Sequence, residues 1–211
     1  MPVLTLPAAP RFADSEFRLI TKTRVFESSE DGSGQTKLKP GAKWLLEAAL
    51  PLMTRAQAAP WTAFLAELDG PAGRFYAGDP FALTPLGVAT GTPLVNGASQ
   101  TGTSLITDGW TGSVTGIMVK GDYFAVDLPS GGGARSLHQM TADANTDGPG
   151  NATLAFRPAL RESPADGATI ITASPTCVMR LIDDDQARWS IGADGLYSIA
   201  FTAIESFNLG S

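Results

Sequence analysis

The sequence predicts a mostly-β protein with one main α-helix, and three observations carry that expectation. Asp-Gly recurs at 31, 69, 108, 147, 166 and 194, with Asn-Gly at 96, and such dipeptides supply the positive φ angles of tight reversals. Between these turns lie short segments in which β-branched and aromatic residues alternate with polar ones, the period of a half-buried strand. Only residues 54–68 place apolar side chains at clear helical spacing. A chain of 211 residues that is 43% hydrophobic and 17% charged can bury a core, which excludes a disordered chain and a coiled coil. Its 23 Gly and 15 Pro are spread over turns and form no linker, and there is no internal repeat of useful length.

In chain order, residues 1–10 are apolar but broken by prolines, without the basic start and continuous apolar run of a secretory signal. Residues 17–26 alternate Phe17, Leu19, Thr21, Thr23 and Val25 against Arg18, Lys22 and Arg24, so one edge of the pleat is charged and solvated. Residues 28–35 form a polar, glycine-containing tip and residues 37–46 a return segment, which makes 17–46 a long hairpin. The apolar cluster at 44–52 is interrupted by Glu47 and Pro51 and is far shorter than the roughly 20 residues of a membrane helix. Thr54 and Gln57 have capping-box spacing, and Ala58, Trp61, Phe64, Leu65 and Leu68 share one helical face that covers a sheet. Pro60 implies a kinked first turn or a regular helix that begins near it, and Asp69-Gly70-Pro71 ends the element.

Short strands are predicted at 74–76 and 86–89. From residue 90 to 115 the chain turns rich in Gly, Thr and Ser, with strands at 94–96 and 104–106. Residues 117–120 and 123–128 read as a hairpin about Gly121-Asp122, followed by strands at 136–141 and 151–156 and a stop at Pro158. Residues 92–172 are thus expected to close a small barrel of five or six strands. The β pattern continues at 168–173 and 178–182, passes an acidic turn at Asp183, Asp184 and Asp185, and ends in a hairpin of 188–191 with 196–205.

The chemistry implied is sparse. The chain has 15 Lys+Arg against 21 Asp+Glu, a formal charge of −6, so as a whole it lacks the positive excess that condenses onto phosphates. Its one cysteine, Cys177, removes any intramolecular disulfide framework and suits a reducing cytoplasm, while its one histidine, His138, removes the commonest transition-metal ligand set. His138 lies on a predicted strand, and no Gly-x-Ser-x-Gly elbow occurs for a Ser/His/Asp system. Cys177 has no local base and reads as a small core residue. Asp183–Asp185 lack the alternating ligands, central glycine and closing Glu of an EF-hand loop, and most other Asp residues are turn residues. Gly131-Gly132-Gly133 is not followed by a helix or a Lys-Ser/Thr pair, so neither ATP nor a dinucleotide is implied. The expectation is no catalytic residue, no cofactor, no metal and no enzymatic activity.

A family resemblance adds to this reading. Residues 61–65 (WTAFL), 68–70 (LDG), 73–75 (GRF) and 78–80 (GDP) resemble the helix-to-strand passage of tail components in long-tailed phages with non-contractile tails. Residues 120–124 (KGDYF), 137–144 (LHQMTADA), 147–154 (DGPGNATL), 157–161 (RPALR) and 164–168 (PADGA) are similar to a module of such phages' tail-tip proteins, the distal tail protein above all. The resemblance covers roughly residues 44–207. It implies a tail-tube-like β-sandwich or split barrel, placed here at 1–91 and 173–211 with the helix at about 54–68; the small β-barrel of 92–172, read from the strand pattern, is inserted into it as a departure from the family. The resemblance also implies a homo-oligomeric ring, usually of six copies, in the tail tip of a virion assembled in the host cytoplasm. The ring would continue the tail-tube channel, join the tube protein to hub, baseplate and receptor-binding components, and let DNA pass without specific binding; no membrane insertion is implied. Many distal tail proteins add a galectin-like C-terminal domain, whereas the last strand here reaches about residue 207, so attachment through a terminal domain is not expected. The alternative is a soluble β-sandwich module that binds carbohydrate or another ligand through Trp110, Tyr123 or Trp189; a hydrolase with an unfamiliar site is the least supported class.

Overall fold

The computed structural model describes residues 2–207, so Met1 and residues 208–211, the outer limits of the expected sandwich unit, lie outside the described residues. The chain enters through β1 (Val3–Thr5), the long hairpin β2 (Asp14–Glu27) and β3 (Gly34–Ala49), the helix α1 (Arg55–Glu67) and β4 (Arg74–Ala77). It then lays down β5 (Gly91–Val95), β6 (Gly102–Trp110), β7 (Tyr123–Asp127), β8 (Arg135–Met140), β9 (Ala152–Leu160) and β10 (Ile170–Ile171). It returns with β11 (Cys177–Leu181), β12 (Trp189–Ile191) and β13 (Tyr197–Glu205). The protein is mostly β with one α-helix, as the turn spacing and strand alternation predict.

Two sheets divide these strands. One has seven strands in the order β1-β4-β11-β13-β3-β2 with β12 on β13, and the other has six in the order β10-β7-β8-β9-β6-β5. The six-stranded sheet curls until its edges meet: Leu94 and Thr169 form a bridge, and the amides of Val95 and Gly167 donate to the carbonyls of Ala168 and Val95 at 2.9 and 2.8 Å. Closure leaves no unpaired edge for most of this sheet and encloses a core of Leu105, Phe124, Leu154 and Phe156.

Helix α1 begins as the capping box predicts: the Thr54 N–H donates to Gln57 Oε1 at 3.0 Å. Ala58, Trp61, Phe64, Leu65 and Leu68 are all buried. Phe64 meets Phe75 edge-on at 5.4 Å between ring centroids, and Trp61 lies over Phe201 at 6.2 Å, which seats the helix on the seven-stranded sheet. The helix runs unbroken through Pro60, because both Pro60 and Ala56, whose carbonyl would have met the missing N–H, are exposed to water.

The two sheets pack through one aromatic cluster. Phe17 stacks on Trp44 at 4.9 Å with 7° between planes, and Tyr123 from β7 sits edge-on to both rings. Trp44 Nε1 donates to the Leu137 carbonyl of β8 at 2.9 Å, and Ala125 and Leu137 are buried in the core of the seven-stranded sheet.

Besides the kink or late helix start expected at Pro60, three expectations need correction. Residues 86–89 form no strand; the segment is held by the Asp122 carboxylate and by Val88 and Ala89 amides donating to Gly116 and Ile117. Residues 117–120 are not the partner of β7, which pairs with β8, because Asp122 turns inward to accept the Val119 amide and closes a compact turn. Pro158 does not end β9: the register against β6 jumps from Ser104↔Ala155 to Gly102↔Leu160, so Pro158 lies in an irregularity where no ladder donor is required.

Candidate assembly surface

The outer half of the β2–β3 hairpin pairs only with itself. Near its base, Leu19 and Trp44 pair on the core face; beyond it the register jumps from Ile20↔Lys43 to Lys22↔Lys39, with Pro40 and Gly41 in the extra length of β3. Gly41 has φ +116°, a value that other residues rarely adopt, and here it lets the strand bulge. From this bulge outward the ribbon has no sheet neighbour, and Val25, Phe26 and Leu38 are 59%, 56% and 65% exposed.

Register assigns the faces of this arm. Lys22↔Lys39, Arg24↔Lys37 and Phe26↔Gln35 lie on one face, and Thr23↔Leu38 and Val25↔Thr36 on the other. The arm is therefore cationic on one side, whereas the other side is uncharged except for Glu27, paired with Gly34 at its outer end. Its tip is a closed turn: the Ser28 amide donates to the Ser33 carbonyl at 2.8 Å, and Asp31 Oδ1 accepts the Ser33 amide at 3.0 Å. The Ser33 amide, with Ser28 and Ser33 hydroxyls, holds the Asp31 carboxyl down at about 2.

The single histidine and cysteine sit in the interior. His138 is fully buried between Phe124 and Phe156, at 5.4 and 4.5 Å between ring centroids. Its Nδ1 lies 2.8 Å from the Pro158 carbonyl, and since a carbonyl only accepts, the proton sits on Nδ1. Burial lowers its pKa to about 4. Cys177 is buried, and desolvation with the nearby Glu205 pushes its thiol well above the ordinary range, which disfavours the thiolate. Asp183, Asp184 and Asp185 are exposed around a 3-10 turn, and among the described residues no three His, Cys, Asp or Glu side chains are grouped to hold a metal ion. Trp110 is buried with its Nε1 donating to Thr107 Oγ1 at 2.7 Å, and Tyr123 belongs to the sheet junction, whereas Trp189 is 41% exposed. No described helix is long and apolar enough to cross a membrane.

Sequence pattern does not reveal Glu205, which lies at the end of β13 and is 2% exposed. Its carboxylate accepts the Trp44 amide at 3.1 Å and stands 3.6 Å from Arg161 Nη2; burial outweighs these contacts and raises its pKa to about 7. The raised Glu205 contributes most below pH 4.5, and that contribution is lost as pH climbs through 7. The depressed His138 does the opposite: its contribution is complete above pH 6.5 and is lost as pH falls through 4. Each shift corresponds to about 3 kcal/mol, so the two slopes cancel between pH 4.5 and 6.5. Stability measured by urea unfolding is expected to be nearly flat across this window in the natural protein. In Glu205→Gln it should rise with pH by about 2–3 kcal/mol; equal slopes in the two proteins would refute the assignment.

The chain matches no known protein-family model, and no curated protein sequence matches it.

Proposed function

We propose that this chain is a structural subunit of the tail tip of a long-tailed, non-contractile phage. Its copies would close as a ring, six in the simplest case, that continues the tail-tube channel and joins the tube to the hub and receptor-binding components of the virion. The motif resemblance of residues 44–207 motivates this reading, and one observation carries it: a two-stranded arm stands clear of the body with both faces exposed. An isolated ribbon of this kind has little to stabilise it in water, and it gains a role when another protein surface covers it. The interior positions of His138 and Cys177 fit a function in shape and assembly, without a bond-breaking step.

The test is the mass of the purified protein by light scattering, before and after deletion of residues 30–34. The full chain is expected at several times its 22.0 kDa protomer mass, and the deletion variant at one protomer with unchanged far-ultraviolet circular dichroism. A full chain that stays at 22.0 kDa at micromolar concentration would refute the proposal.

A further inference from the structure

The cationic face of the arm poses a problem that the protomer does not solve. Lys22 faces Lys39 and Arg24 faces Lys37 directly across the ribbon, and like charges so placed repel. Among the described residues none of these four joins an ion pair, and the nearest acidic residues in sequence, Glu27, Glu30 and Asp31, lie at the outer end and tip of the ribbon. From Lys22 to Glu27 the ribbon extends about 17 Å at the usual rise per residue, away from the body. Four cations are thus held in one plane with no counter-charge beside them.

The complementary surface lies at the other end of the same sheet. The register runs Leu45↔Ile204, Leu46↔Ala203 and Ala48↔Phe201 on one side of β13, and Leu181↔Ala203 on the other. The chain leaving β11 toward Asp183 therefore emerges level with Ala48, while the arm leaves the sheet beyond Lys43. There the two 3-10 turns, Gly70–Ala72 and Asp184–Gln186, pack so closely that a side chain on Gly70 would meet the Asp184 carboxylate at 2.5 Å. This contact brings exposed Asp69 beside Asp183, Asp184 and Asp185, and among the described residues none of the four is in an ion pair. Arg74 and Arg180 lie at the same end, but their guanidinium groups bond to backbone carbonyls at Pro71, Ala72 and Leu181.

We infer that the cationic face of the arm, Lys22, Arg24, Lys37 and Lys39, docks on the acidic end of a second copy of this chain, at Asp69 and Asp183–Asp185. The two surfaces point away from each other along the strand direction, so they cannot meet within one protomer. Head-to-tail pairing satisfies both, and such heterologous contacts close into rings or run on as stacks. The inference rests on the assembly reading above and names the surface that receives the arm.

The experiment uses the full chain with two charge-reversed variants, Lys22→Glu/Arg24→Glu/Lys37→Glu on the arm and Asp183→Lys/Asp184→Lys/Asp185→Lys on the acidic end. Sedimentation at 150 mM NaCl is expected to show each variant alone as a folded monomer, with self-association weakened at least 100-fold. An equimolar mixture should regain the assembly, because a reversed arm then meets a reversed acidic end and the two natural surfaces also meet. Rising salt should weaken the natural assembly. Single variants that assemble like the natural protein would overturn this pairing while leaving the assembly proposal standing, and so would a mixture that fails to recover. A natural chain that is monomeric throughout would remove both. Retardation of duplex DNA that depends on Lys22, Arg24 and Lys37, with self-association unaffected by their reversal, would overturn the inference in favour of a nucleic-acid partner.

Discussion

Replacing Trp44 by alanine is expected to destabilise the protein by about 4–6 kcal/mol, the sum of a large buried aromatic lost and a carbonyl left without its donor. Trp44 is 2% exposed, stacks on Phe17 and meets Tyr123 edge-on, so its removal opens a cavity where three rings converge. It also withdraws the Nε1 proton from the Leu137 carbonyl, the hydrogen bond that ties β3 to β8. Trp44→Phe separates the two contributions, since a phenyl ring keeps much of the stacking and loses the donor; about 2–3 kcal/mol is expected for it. Urea unfolding of both variants checks this. If Trp44→Phe is as stable as the natural protein, the link to Leu137 contributes nothing.

The second large effect concerns Asp122, which is 4% exposed and holds three backbone amides with one carboxylate. Oδ1 accepts the Leu86 amide at 2.6 Å, while Oδ2 accepts those of Gly87 and Val119 at 3.0 and 2.9 Å. Bonds to a charged acceptor are stronger than neutral ones, and in Asp122→Ala the three donors stay in a protein-lined space without a partner. A loss of about 3–5 kcal/mol is expected, with Asp122→Asn milder because it retains one oxygen. Hydrogen exchange gives the local readout: the Leu86 and Gly87 amides should exchange far faster in Asp122→Ala than in the natural protein. Unchanged protection at both would show that Asp122 does not hold this segment. The connection from the seven-stranded sheet to the barrel passes through these residues, so their release should loosen how the two sheets are joined.

Where a structural role is encoded in neighbouring residues, the sequence was sufficient. The helix over residues 54–68 was legible because a capping box and an apolar stripe both act within a few turns of chain, and every stripe residue proved buried. The long hairpin and the final hairpin were legible for the same reason, since Asp31-Gly32 and Asp194-Gly195 reverse the chain between alternating segments. Residues 86–89 and 117–120 were misread because short apolar runs look alike whether a ladder or a buried carboxylate secures their amides. Pro158 was misread as a stop because a bulge exists only relative to a neighbouring strand.

The sequence by itself determined the fold class, the helix and its buried face, the turns, and the absence of any local nucleophile motif, because each depends on periodicity or on residues close in the chain. Only the tertiary structure decided that the barrel closes through Leu94 and Thr169, that Glu205 titrates near neutrality, and that four cations share one face of an arm far from the acidic turn. These depend on strand register and burial, which bring together residues far apart in the chain, and no local pattern records them.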